Sequence, residues 1–356
     1  MHAGLAPAEQ GQPLLGGPVL AAPYHLRGPA DASPYGYGRD ANPTWTALER
    51  ALGELDGGEA VTFASGMAAV GAVLATVLRR GDVLVACGDG YPGIRVLARE
   101  RLAPFGVGVR LVPTDTAAVL DAAAGARLVW VETPSNPRLD VCDIAAVAEA
   151  AHAAGALLAV DNTLATALGQ RPLALGADLA VASATKTLSG HSDLLLGAVS
   201  ARNPAAAEAL RRWRSQSGAI PGPFEAWLAH RSLATLALRL ERSSAGALAV
   251  ARALRARADV EQVVHPSDHP VAARQMDRFG CLVGFDVGSA ERAQAVLDAC
   301  ALVTEATSFG GVHATAERRA RWDTDDVPEG FIRYSAGCEE PEDLVADLTA
   351  ALDATA

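Results

Sequence analysis

Asp161 and Lys186 are the residues whose types and placement promise chemistry. They stand just past two short apolar runs, 157–160 and 179–182, in LLAVDNT and ADLAVASATK. Lys186 is the single lysine among 30 Lys and Arg residues. A guanidinium keeps its proton under all protein conditions and cannot serve as a nucleophilic amine. A desolvated lysine can lose its proton and form a Schiff base with a carbonyl. In a chain that otherwise uses Arg for every cation, a retained amine at a strand end points to that chemistry rather than to a solvated surface charge. The carbonyl cofactor that also wants a carboxylate at its ring nitrogen is pyridoxal phosphate. Asp161 is the candidate carboxylate, with helix N-capping as its alternative role.

Both side chains need a scaffold that brings them to one edge. Runs 157–160 and 179–182 read as buried parallel strands, and open α/β sheets bind ligands beyond the carboxyl ends of their strands. From residue 60 to 200 strand-like and helix-like segments alternate, which predicts a mainly parallel sheet. Strands are expected at 83–86 and 128–131, with a helix over 143–155. Residues 1–44, rich in Gly, Pro and Ala, read as an extended arm, followed by a helix from an N-capping Thr44 through Gly53. Long helices fill 204–256, broken at Ile220-Pro-Gly-Pro. Strands at 281–287 and 301–304, and a last helix opening in 339–347, make a smaller α+β unit. The expected division is therefore an arm (1–44), a large domain (45–222) and a small domain (223–356).

Bulk properties exclude several classes. The net charge of −11 and the lack of any basic run argue against a nucleic-acid surface. Five scattered cysteines without CxxC spacing fit free thiols in a reducing cytoplasm and predict neither disulfides nor a metal site. No basic head followed by an apolar block suggests secretion, and no apolar run is long enough to span a bilayer.

Other segments add candidate ligands. Ser65-Gly66-Met67 sits between a short apolar run and a long apolar helix, where free N–H groups and the helix dipole can hold a phosphate. Tyr91, just past the strand at 83–86, could stack on a flat ring or pack as core. Asn136 lies between two prolines in Glu132-Thr-Pro-Ser-Asn136-Pro137, a loop those prolines stiffen. Arg39 in YGRDANPT is a fork donor suited to phosphate, or a solvated charge. Ser308 opens a loop of small residues. Arg333 lies in a strand-like alternation, where it could clamp a substrate carboxylate bidentately or make a structural ion pair.

As a set, YGRDANPT, FASGMAA, ETPSNP, VDNT, SATKTLSGHSD, WLAHRSLATL, SFGG and IRYSAGCEEPEDL resemble the Cys/Met-metabolism group of pyridoxal-phosphate enzymes over nearly the whole chain. Within that group the sequence is most similar to cystathionine γ-lyases of actinobacterial type. The resemblance implies the aspartate-aminotransferase-like fold type I. It implies Lys186 as the lysine bonded to pyridoxal 5'-phosphate, Asp161 on the pyridinium nitrogen, and Tyr91 stacked on the ring as a possible proton carrier. Ser65, Gly66, Met67, Ser183 and Thr185 would hold the phosphate. Tyr37 and Arg39 would reach the phosphate of a neighbouring subunit, which requires at least a dimer, commonly paired into a tetramer. Asn136, Ser308 and Arg333 would orient the substrate carboxylate and the cofactor oxygen.

The expected reaction is γ-elimination on a sulfur amino acid, with γ-replacement or elimination from an unusual γ-substituted amino acid as alternatives. Departures cluster near the substrate's distal end. Tyr91 is followed by Pro92-Gly93-Ile94 in place of Gly-Gly-Thr, Thr307 stands where a glutamate is common, Phe309 replaces Leu, and VHATAERRARW differs from the usual form. A further departure is Arg231-Ser-Leu-Ala-Thr-Leu236, where the group usually has Arg-Gly-Leu-Lys-Thr-Leu. The methionine γ-lyase type carries a cysteine where this chain has Gly93.

Overall fold

A computed structural model describes residues 2–4, 9–11, 13–29 and 31–356. Parts of the expected arm, residues 1, 5–8, 12 and 30, lie outside the described residues. Seven strands form the first sheet: β1 (Glu59–Phe63), β2 (Val83–Cys87), β3 (Gly108–Val112), β4 (Leu128–Glu132), β5 (Leu157–Asp161), β6 (Leu179–Ser183) and β7 (Gly197–Ala201). Their order is β1-β7-β6-β5-β4-β2-β3. Only β7 runs against its neighbours, so the sheet is mainly parallel, as the β-α alternation predicts.

The strands are apolar on both faces because both are covered. Leu84, Ala86, Leu128 and Trp130 pack with the helices Gly66–Val77 and Pro204–Ser217. The intervening Val85, Cys87, Val129 and Val131 pack against Thr116–Ala122 and Ile144–Ala153. Continuous rather than alternating apolar runs are what burial on two faces demands.

The second sheet contains β8 (Gln262–Val264), β9 (Leu282–Asp286), β10 (Thr304–Glu305), β11 (Thr315–Arg318) and β12 (Phe331–Ser335), in the order β10-β11-β12-β9-β8. Val283, Phe285, Ile332 and Tyr334 pack under the helices Leu236–Arg255, Ala290–Ala299 and Pro341–Ala354. The expected strand at 301–304 shrinks to the two residues of β10, because Ala301, Leu302 and Val303 direct their N–H groups to the Asp347 carboxylate instead of a ladder. Leu236 packs in a cluster of the first sheet and Ala247–Leu254 in that of the second, so one helix spans both cores. Ala226 and Ala229, past the Pro-Gly-Pro break, also pack with Trp45 and Leu48 of the first helix.

That first helix runs Pro43–Asp56, longer than expected at its end. Asn42, not Thr44, is its N-cap: the Asn42 side chain accepts from the Thr44 N–H at 2.9 Å. Thr44 Oγ1 is occupied by the Val19 N–H at 2.9 Å, and Asn42 Nδ2 donates to Val19 O at 2.9 Å. Trp227 Nε1 donates to Gly16 O at 2.7 Å, which ties the same arm to the helix Pro223–Leu233. Among the described residues no helix is long and apolar enough to cross a membrane, and the five cysteines are free thiols.

Candidate active site

β5 and β6 are parallel neighbours with Asp161 in register with Val181, so Asp161 and the residues after Ser183 emerge at one edge. The chain turns sharply beyond each strand. Thr163 donates to Asp161 Oδ1 from its N–H at 3.0 Å and from its hydroxyl at 2.5 Å, while its Oγ1 accepts the Ser183 N–H at 2.8 Å. One threonine thus aims the carboxylate and ties it to the next strand. Burial raises the Asp161 carboxyl above its ordinary range, opposed by the two Thr163 bonds. No salt bridge engages Asp161 among the described residues, so its surroundings favour an incoming cation such as a pyridinium.

Lys186 stands one short turn past β6, its N–H on Ser183 O at 3.1 Å. Its Nζ donates to Ser308 Oγ at 2.6 Å and lies 5.5 Å from the Phe309 ring. Desolvation, followed by the charge of Arg333, holds the ammonium pKa below the ordinary lysine value. The amine can therefore act as a nucleophile at lower pH than a surface lysine.

The helix Gly66–Val77 opens toward the same edge. Ser65 is its N-cap, accepting the Ala68 N–H at 3.1 Å. A Cβ at Gly66 would lie 2.8 Å from the Ser183 Cβ, so only glycine lets this positive helix end approach β6 so closely. Of the expected phosphate holders, Ser65, Gly66, Met67 and Ser183 gather here. Thr185 turns elsewhere: its hydroxyl donates to Leu196 O at 3.3 Å and accepts the Leu196 N–H at 3.0 Å.

The residues expected on the substrate side arrive from distant segments. Arg333, in the middle of β12, is buried and reaches back across 197 residues to Asn136 Oδ1 at 2.8 Å. Its Nη2 donates to Ser308 O at 2.7 Å and to Glu317 Oε2 at 3.2 Å, while Nε is buried without a partner. Burial holds its pKa down to about 10, so it stays cationic near neutral pH. Glu317 also accepts from Arg319 at 2.6 Å and from Trp322 Nε1 at 2.8 Å, and Arg319 pairs with Asp325. Residues 312–322, the departing VHATAERRARW segment, are therefore pinned behind Arg333. Tyr91 is 47% exposed, its ring beside Met67 and Gly93.

Two expected residues do not join this group in the single chain. Arg39 donates to Ser215 O at 2.7 Å and lies 5.5 Å over the Tyr37 ring. Both sit at the far end of the helix Pro204–Ser217, where an intrachain role at Lys186 is not available. Four participants escaped the sequence reading: Thr163, Glu132, Glu317 and Arg319. Glu132 carried a signal, since it ends the strand next to Asp161. The two pair in register across β4 and β5.

Residues 20–353 match the family described as Cys/Met metabolism PLP-dependent enzymes. The chain belongs to that family. It is an enzyme using pyridoxal 5'-phosphate, with the fold-type-I architecture. A Streptomyces coelicolor protein named "Putative cystathionine gamma-lyase" is 56% identical over 365 residues, covering 100% of this chain and 93% of that one. The Mus musculus cystathionine γ-lyase is 36% identical, covering 99% and 94%. Cystathionine γ-synthase of Xanthomonas oryzae pv. oryzae, solved with cystathionine, superposes with a TM-score of 0.94 at 35% identity, covering 99% and 96%. The edge fits the family's cofactor: an amine of lowered basicity, an unpaired buried carboxylate and a glycine-opened helix end converge on it.

Proposed function

We propose that the protein performs γ-elimination on L-cystathionine, converting it with water to cysteine, 2-oxobutanoate and ammonia. The observation that carries this reading is Arg333 and Ser308 standing against Lys186, an amino-acid carboxylate clamp beside a reactive amine. The names of the relatives support the choice of amino acid. When bound, pyridoxal 5'-phosphate supplies an aldehyde and an electron-withdrawing ring that acidify the substrate's Cα–H and Cβ–H bonds.

The chain's own residues do the rest. Asp161 would keep a proton on the ring nitrogen, and Ser65, Gly66, Met67 and Ser183 would hold the phosphate, without Thr185, whose hydroxyl and N–H are spent on Leu196. Lys186 Nζ would hold the cofactor and accept the Cα proton of the substrate. Tyr91 would cover the ring and, with Lys186, return a proton to the departing sulfur. Asn136, Ser308 and Arg333 fix the carboxylate so that the Cα–H bond faces Lys186. Tyr37 and Arg39 complete the phosphate site of a second subunit in a cytoplasmic dimer, itself paired into a tetramer. We keep the division into arm (1–44), cofactor domain (45–222) and small domain (223–356), with the helix Leu236–Arg255 bridging the two cores.

The test is a panel of cystathionine, methionine, homocysteine and O-acyl-homoserines, with 2-oxo acid as readout. 2-Oxobutanoate formed fastest from cystathionine is expected. The γ-synthase likeness favours a second reading, γ-replacement, which would instead give cystathionine from an O-acyl-homoserine plus cysteine. No turnover of cystathionine would refute the first reading.

A further inference from the structure

Glu132 ends β4 and occupies a position that the reaction as described leaves without a task. Its two carboxylate oxygens are spent on two different loops. Oε2 accepts the backbone N–H of Tyr91 at 2.5 Å, and Oε1 accepts the backbone N–H of Asn136 at 3.0 Å. The first loop leaves β2, the second leaves β4, and no strand-to-strand hydrogen bond joins them beyond the sheet edge. The contact is built for. A Cβ at residue 90 would lie 2.5 Å from Glu132 Oε2 and 3.3 Å from its Cδ, so Gly90 is what lets the carboxylate come against the backbone preceding Tyr91.

Glu132 is held here against an electrostatic cost. Glu132 lies in register with Asp161, a like charge on the adjoining strand. Burial, then the Asp161 charge, push its carboxyl well above the usual range, while the Tyr91 and Asn136 N–H bonds pull it back. A neutral amide would avoid that repulsion, but it offers only one acceptor oxygen for two N–H donors. The need for two acceptors at one point explains why an acid is kept beside another acid.

We propose that Glu132 is a positioning residue that sets the stacking ring of Tyr91 and the substrate-side amide of Asn136 as one unit over the cofactor. The proposal rests on the reading that the cofactor lies between Tyr91 and Asp161. Through Tyr91 it governs how the ring is covered. Through Asn136, whose Oδ1 accepts from Arg333 at 2.8 Å, it governs the aim of the carboxylate clamp. One side chain thereby couples the cofactor's exposed face to the substrate's carboxylate.

Glu132→Gln sets an NH2 donor against one of the two N–H donors while keeping size and shape. In the holoenzyme we expect a protein that stays folded at the assay temperature and a visible circular dichroism of the bound cofactor, normalised to cofactor content, that is clearly altered. We also expect weaker cofactor retention and a 10- to 100-fold fall in kcat/KM shared between kcat and KM. Gly90→Ala approaches the same contact from the other side and should give the same signature, which keeps the test available should the first variant fold poorly. The dichroism and the cofactor dissociation constant need no substrate, so they stand even if cystathionine proves to be the wrong amino acid. Wild-type dichroism and cofactor affinity in both variants would overturn the proposal. So would losses that track only the unfolded fraction.

Discussion

Gly93 lies two residues past Tyr91, in the short helix Pro92–Leu97. A Cβ there would lie 2.6 Å from Met67 Sδ and 2.6 Å from Tyr91 Cε1. That is about 0.8 Å short of ordinary van der Waals contact on both sides. Met67, in the first turn of the helix Gly66–Val77, packs against the first core, whereas Tyr91 is half exposed, so the ring is the part that yields. Gly93→Ala should then separate two quantities that usually fall together. Removing a helical glycine favours the helix by about 0.5–1 kcal/mol, so the holoenzyme should unfold no earlier than wild type. A ring shifted by most of an ångström should lower kcat/KM about 10- to 100-fold, or about 1.4–2.7 kcal/mol in the barrier. Gly93→Cys, with a larger side chain, should do more of the same. The measurements are thermal unfolding of the cofactor-loaded protein, visible circular dichroism and kcat/KM with cystathionine. Unchanged activity, or activity and stability lost in proportion, would refute the packing argument.

Lys186→Ala should abolish steady-state turnover and the borohydride-reducible bond to the cofactor, read by absorbance; retained turnover would sink the mechanism. Arg39→Ala should weaken cofactor retention, measured as the dissociation constant, and an unaltered affinity would count against a site shared between subunits. Asp56, hydrogen-bonded by Ser200, is raised by burial to about 6 from 3.8. Its proton is held more tightly in the fold, so its contribution is present below pH 3.8 and disappears as pH rises through about 6. Asp56→Asn keeps the acceptor for Ser200 and should stabilise the protein near pH 7 by about 1–2 kcal/mol, a value reduced for partial exposure. Urea unfolding from pH 4 to 7 should show the wild type losing stability relative to the variant; parallel curves would contradict the burial argument.

The chemistry-bearing ends of the strands were legible in the sequence because short-range signals mark them. Lys186 is unique by residue type, Asp161 and Ser183 close apolar runs buried on both faces, and Ser65-Gly66 opens an apolar helix. These properties depend on neighbours along the chain. Local pattern also misplaced the first helix cap: Asn42 and Thr44 both carry capping side chains, and the Val19 N–H, an arm contact, decides that Thr44 is occupied elsewhere.

What only the tertiary structure decided are partnerships across long sequence separations. Arg333 meets Asn136 and Glu317, Lys186 meets Ser308, and Glu132 ties the loops of Tyr91 and Asn136 together. Thr185 turns from the expected phosphate site to the Leu196 backbone, a choice made by the neighbouring β7. The physical reason is common to all of them. A residue's type and local period fix which edge it can reach, but hydrogen bonds between loops depend on strand order, which brings residues far apart in the chain side by side.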